Sequence, residues 1–325
     1  MLEYEFSSPL GGCIKEFITQ KRAVGYPYQT AARILHHFDL LISDKFPDAT
    51  TLSKDICDAW LQCKPGEHPN GLQRRITPVR QLGKYMNGLG YDAYVIPSHI
   101  PNKLIKYEAH IYTVAELKAF FRSIDQCPRS PFSPTRQYVI PVIFRLIYCC
   151  GLRSSEARLL KTVDVDLDTG KVVIRESKGW KGRIIFMSDD LLDVCIEYNS
   201  IIEGMLPDRE AFFPNKDGNC FSIGMLDCWF HEFWDKLPEA SAIVGNPARV
   251  HDFRHTHAVH RLNQWVREGH DISVLLTYLS EYMGHSNYAD TDYYLSLVEE
   301  FYPEMEQRLA SVNEDILPEV HHEEE

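Results

Sequence analysis

Apolar residues in the first hundred positions recur at helical spacing. Ile34, Leu35, Phe38, Leu41 and Ile42 fall on one face of a segment over 31–46, and a second such segment covers 52–63. A third, over 72–89, contains Pro78, which predicts a break or kink there. The period is then lost over 91–106, where Pro97 and Pro101 stand among polar residues. That stretch reads as a linker and boundary. It divides the chain into a helical domain over 1–105, with its linker from about 91, and a second domain over 106–325.

The second domain opens on Thr113 and Glu116, spaced as a capping box for a helix through about Ile124. A strongly apolar helix is expected over 135–150, ended by Gly151. Ser154 or Ser155 can start the next, to about Lys161. The stretches 171–175 and 182–187 have the β-branched character of strands, joined by a turn over 177–181. Helical patterning returns at roughly 190–204, 222–237, 252–268, 272–283, 289–299 and 303–312. The expected class is mainly α, with one small antiparallel β-sheet and no internal repeat.

A chain of 325 residues suits two domains. Its 44% hydrophobic and 25% charged residues are those of a globular protein, and no apolar run approaches the ~20 residues needed to span a bilayer. The start, Met1 to Phe6, lacks the basic and apolar regions of a signal peptide. Nine scattered cysteines, with no Cys-x-x-Cys, read as reduced thiols. The expected place is therefore the cytoplasm.

The net charge of −12 counts against a nucleic-acid partner, but its distribution weakens the objection. Residues 299–325 hold ten acidic side chains against Arg308 alone, a local charge of −9 that leaves −3 for the remainder. Between positions 74 and 106, Arg74, Arg75, Arg80, Lys84, Lys103 and Lys106 face one acidic residue, Asp92. In a second cluster, Lys171, Arg175, Lys178, Lys181 and Arg183 are opposed by Glu176. Such clusters suit phosphate contacts, and they equally suit solvated faces.

Three short segments carry the candidate chemistry: Gly151-Leu-Arg-Ser-Ser-Glu156, His251-Asp-Phe-Arg254, and Gly284-His285 followed by Tyr294. Arg153 at a helix start can present paired N–H donors to phosphate oxygens, with Glu156 one turn on to orient it. The spacing of His251 and Arg254 puts both on one helix face, near an N-terminus that favours an anion. Histidine exchanges a proton near neutrality and arginine does not. His251 and His255 also have the i, i+4 spacing of a zinc helix, but Asp252 and Phe253 replace the glutamate of His-Glu-x-x-His and no third ligand is evident. Tyr293 and Tyr294 diverge by about 100° on a helix, so one of them faces the site.

Together these segments resemble the tyrosine recombinase (phage integrase) family: a Gly-Leu-Arg-x-Ser-Glu box, a His-x-x-Arg box, a Gly-His dipeptide and a tyrosine nine residues later. The resemblance selects Tyr294 over Tyr293 as nucleophile. Ser177-Lys178-Gly179-Trp180-Lys181-Gly182-Arg183 resembles the family's basic hairpin turn, which implies Lys178 as the catalytic lysine and Lys181 as its alternative. Tyr278 to Tyr282 and Tyr293 to Leu295 look more like integrases of transposons and integrative elements than chromosome-dimer resolvases. Phe253 and Met283 stand where the family often has leucine.

The resemblance implies site-specific recombination of double-stranded DNA without a metal or other cofactor. Tyr294 would form a 3′-phosphotyrosyl link, His251 would accept its proton, and Lys178 would protonate the leaving oxygen. Arg153, Arg254 and His285 would stabilise the phosphorane, with Glu156 supporting Arg153. The N-terminal domain, with Arg74, Arg75, Arg80 and Lys84, would clamp DNA alongside Lys181 and Arg183. A homotetramer on DNA follows, with other recombinases or accessory proteins as further partners, and the segment after about Phe301 docks either on a neighbour or on its own domain. A topoisomerase-like enzyme and a catalytically silent DNA-binding regulator are the alternatives.

Overall fold

The computed structural model describes residues 4–62, 66–98, 107–175, 182–243, 247–285, 287, 289–295 and 297. It divides into two compact units, Met1–Tyr107 and Glu108–Glu325. The chain is mainly α-helical with one small antiparallel sheet.

The first unit packs four helices: α1 (Gly11–Ala23), α2 (Gln29–Lys45), α3 (Lys54–Leu61) and α4 (Pro69–Gly88). Ile14, Phe17, Leu35, Phe38, Ile42, Ile76 and Leu82 are among the residues of its core. Pro78 does not end α4. The proline removes one backbone donor, yet its ring is buried with the adjoining Val79, and packing holds the helix through it. The helical spacing did not single out α1, whose two leading glycines and mixed face give a weak pattern. Asp39, fully buried on α2, accepts the backbone N–H groups of Ser7 and Ser8 and the Ser8 hydroxyl. One carboxylate thereby fastens the entering chain to α2.

In the second unit the apolar α6 (Arg136–Cys149) lies at the centre, against α5 (Val114–Asp125), α7 (Ser154–Arg158), α8 (Asp189–Met205) and α11 (Asp252–Arg267). Thr113 and Glu116 form both halves of the capping box that starts α5. Three strands, β1 (Val165–Asp166), β2 (Lys171–Ile174) and β3 (Arg183–Phe186), pair antiparallel in that order. Their register places Val172 opposite Ile185 and Ile174 opposite Arg183. β1, two residues long, is too short to show a period. The helix expected over 222–237 is α9 (Met225–Trp234), and a short α10 (Pro238–Ser241), opened by Pro238, follows it. Beyond α11 come α12 (Ile272–Met283) and α13 (Ala289–Leu295). The helix expected over 303–312 lies outside the described residues. Among those described, no helix is long and apolar enough to cross a membrane.

Replacing Asp39 with alanine orphans the buried Ser8 N–H and hydroxyl and frees the part-buried Ser7 N–H, a loss of about 2–4 kcal/mol from the first unit. Hydrogen exchange of the full chain is expected to speed up in peptides from α1 and α2 and to stay unchanged in α6 and α11.

Candidate active site

Two helices ending in the same way build the site. α6 and α12 each close on a left-handed glycine, Gly151 (φ 59°) and Gly284 (φ 65°). In both, the next residue donates back over six residues: Leu152 N–H to the Ile147 carbonyl, and His285 N–H to the Ser280 carbonyl, each at 3.0 Å. A side chain at either position would strain the backbone. At Gly151 an added Cβ would also lie 2.7 Å from the His257 ring and 2.9 Å from the Met283 sulfur.

Arg254 joins the two helix ends. Its guanidinium is buried, 1% exposed, and donates to the Gly151 carbonyl at 2.6 Å and to the Met283 carbonyl. Burial, then the neighbouring Arg153 charge, lowers its pKa to about 10, so it stays cationic at neutral pH. Arg153 reaches the second turn, donating to the Gly284 carbonyl at 2.9 Å and to Glu156 Oε1 at 2.7 Å. Glu156 also accepts the Arg153 N–H at 2.9 Å, the reach-back half of a capping box. Arginine has no acceptor, so the other half does not form.

Glu156 has a second arginine. Arg183 Nη1 and Nη2 donate to Oε1 and Oε2, both at 2.8 Å, and its Nε donates to the Tyr282 carbonyl at 2.7 Å. Burial would raise the Glu156 pKa, but the bonds and charge of Arg183, followed by those of Arg153, hold it down at about 2.

His285 follows Gly284, and its Nδ1 is hydrogen-bonded to the buried Thr291 hydroxyl at 2.6 Å. Tyr294, on α13, is 2% exposed, with its ring 5.9 Å from that of His285 and 5.6 Å from that of His255. His251 meets His255 edge to face at 4.8 Å. Tyr293 turns elsewhere and accepts the Ala109 N–H at 3.3 Å. Burial, followed by nearby positive charge, lowers the pKa of His251 to about 4 and of His285 to about 3. For His255, at about 3, burial leads and His251 follows.

Arg153, Glu156, His251, Arg254, His285 and Tyr294 thus share one neighbourhood built from α7, α11, α12 and α13. Lys178 and Lys181 lie outside the described residues. Of the expected DNA contacts, Arg74 and Lys84 are exposed. Arg75 is not: it pairs with Glu67 at 2.6 Å, donates to the Gln62 carbonyl and stacks over Trp60. Arg80 donates to the carbonyls of Ile96 and Pro97. Arg183 points inward, its side chain 8% exposed.

Two residues of the site had no role in the sequence pattern beyond packing or a metal. His255 packs on Tyr294, and its buried Nδ1 has no hydrogen-bond partner among the described residues. Its spacing four after His251 was the available signal. Thr291 carries no motif at all. Among the described residues no group of three His, Cys, Asp or Glu side chains is placed to hold a metal.

A model of the phage integrase family matches residues 116–300. An integrase/recombinase of Sinorhizobium fredii, y4rB, is 26% identical over 93% of this chain and 97% of its own. The site-specific recombinase XerH, solved with its difH substrate after cleavage, has a similar fold, with TM-score 0.63 and 18% identity over 92% of this chain and 84% of the other. A lambda integrase tetramer on a Holliday junction has TM-score 0.58 and 14% identity, covering 88% and 76%.

The glycine turns and neutral histidines lead to two expectations. Gly151→Ala forces a side chain into left-handed backbone, a cost of about 1–2 kcal/mol before the contact with His257. Its Tm should fall by about 2–8 °C in a melting experiment. The histidines make the fold acid-sensitive. Their pKa values fall from 6.5 to about 4 for His251 and His257. Below pH 6.5 the unfolded chain therefore binds protons that the folded chain refuses, and stability falls with pH. The melting temperature is expected to hold above about pH 7 and drop steadily towards pH 4, less steeply in His257→Gln.

Proposed function

The chain belongs to the phage integrase family, and from that premise we propose that it cuts and rejoins double-stranded DNA at defined sites with Tyr294 as nucleophile. The observation that carries this reading is the convergence of Arg153, Arg254, His285 and Tyr294 on the two glycine-capped helix ends. Tyrosine is the nucleophile and arginine the electrophilic support that a phosphodiester needs when cationic side chains serve in place of a metal.

In this mechanism the Tyr294 oxygen attacks the scissile phosphorus, forming an O–P bond as the bond to the 5′-oxygen breaks. The tyrosine proton passes to His251, and Lys178 supplies a proton to the leaving oxygen. Arg153, Arg254 and His285 hold the non-bridging oxygens as negative charge develops. Glu156 keeps Arg153 in place. The phosphotyrosyl link retains the energy of the broken bond, so a 5′-hydroxyl can reverse the step without ATP.

Electrostatics supports the histidine roles. Burial, followed by neighbouring guanidinium groups, holds His251 and His285 neutral. An entering phosphate offsets that positive charge and raises both pKa values, so His251 becomes a better acceptor when substrate is present. Tyr294 is buried, so productive binding must also expose its hydroxyl.

Exchange between two duplexes, each cut in turn, calls for four protomers. We therefore assign the chain a homotetrameric assembly on DNA, of the kind seen for lambda integrase. On this reading the first unit clamps the duplex through exposed residues such as Arg74 and Lys84, and the protein works in the cytoplasm on an element's ends or on the chromosome. Integration or excision of a mobile element is the inferred outcome.

The test uses nicked suicide duplexes tiled across the DNA flanking the coding sequence, in buffer containing EDTA. A covalent protein–DNA adduct is expected on a denaturing gel, absent in Tyr294→Phe and retained in Tyr293→Phe. Arg153→Ala should slow adduct formation about 10²–10³-fold. Specific binding with no adduct would instead indicate a regulator, and relaxation without joining to a second duplex would indicate a topoisomerase.

A further inference from the structure

We propose that Arg183 is a positioning residue for strand cleavage: by sharing the buried Glu156 with Arg153 and gripping the turn before His285, it leaves Arg153 a full positive charge for the phosphate. The inference rests on the recombinase reading above, and begins from a charge count. The Glu156 side chain is 0% exposed and lies between two guanidinium groups. With Arg153 alone the buried pair would be neutral. With Arg183 the group of three is net positive, and the positive end that remains partly open is Arg153, 19% exposed against 8% for Arg183.

The second part is geometric. All three nitrogens of the Arg183 guanidinium have partners inside the protein: two on Glu156 and one on the Tyr282 carbonyl. Its Cδ and Nη1 lie 3.2 Å from where a Cβ on Gly284 would stand. One side chain therefore braces the carboxylate that orients Arg153 and the backbone that presents His285. Arg183 is also the first residue of β3, opposite Ile174, where the sheet leads into the 176–181 segment that contains Lys178. With Nε and both Nη atoms so engaged, Arg183 acts on the phosphate through Arg153.

The test compares Arg183→Met, Arg183→Lys and the double variant Arg183→Met/Glu156→Gln with the unaltered chain, on whichever tiled suicide duplex gives an adduct. Single-turnover adduct formation in Arg183→Met is expected to fall about 10²-fold, with DNA affinity within about threefold and an unchanged salt slope. Arg183→Lys should lie between. The double variant restores the net positive charge and should react faster than Arg183→Met.

A pH profile adds a readout that mere bracing would not move. Without Arg183 the Glu156 pKa rises from about 2, so the Arg183→Met rate should climb towards that of the double variant as pH falls and Glu156 takes up a proton, a rise absent from the double variant itself. Three results would overturn the role: a rate within about threefold of the unaltered chain, a double variant no faster than Arg183→Met, or weaker binding with a salt slope smaller by about one and a normal rate on saturated DNA. If melting shows Arg183→Met unfolded, Arg183→Lys carries the comparison, and an unshifted rate and pH profile there defeat the proposal. Absence of any adduct from the unaltered chain defeats the recombinase reading itself, an outcome separate from all of these.

Discussion

A single buried guanidinium holds the catalytic unit's two helix ends together. The carbonyls of Gly151 and Met283 terminate α6 and α12 inside the protein, where water does not reach them, and Arg254 satisfies both. Neither side can be removed alone. Without the arginine, two carbonyls are orphaned, and without the carbonyls, a charge is stranded at a cost of several kcal/mol. The left-handed glycines are what aim these carbonyls inward. The same bonds that hold the helix ends fix the guanidinium, so its placement is set during folding.

That arrangement determines the protonation of everything nearby. Arg153, Arg183 and Arg254 oppose Glu156 in a partly buried space, and burial first, then the surrounding positive charge, keeps the histidines neutral. An anion is therefore the charge that such a site favours.

Much of the second unit could be read from the sequence because its signals are local. The Thr113–Glu116 capping box, the apolar run ending at Gly151 and the Gly284 stop each depend on residues within a few positions, and the structure has them where the pattern puts them. Signals that needed tertiary context were lost. Pro78 sits inside a continuous α4 because buried packing outweighs one missing backbone donor. β1 is too short to be periodic, and α1 has too mixed a face. Within the site, the boxes marked Arg153, His251, Arg254 and His285, but not the contacts of His255 with Tyr294 or of Thr291 with His285. Those contacts join residues on different helices, or across a turn, without a recurring spacing.

The basic residues show most clearly what a linear reading cannot separate. Arg74, Arg75, Arg80 and Lys84 form one cluster along the chain and two populations in space. Helical rotation turns Arg75 onto Glu67 and Trp60 while its neighbour Arg74 stays exposed, and Arg80 reaches the carbonyls of Ile96 and Pro97. Charge density in sequence therefore overstates the surface available to phosphate. Arg183 carries the same lesson with a usable clue. In a strand with period two it shares a face with the buried Ile185, while Ile184 and Phe186 face out. An arginine on the inward face of a small sheet needs buried acceptors, and the Glu156 carboxylate supplies two of them. Read this way, strand alternation distinguishes an arginine that supports a site from one that touches DNA, where composition and clustering treat the two alike.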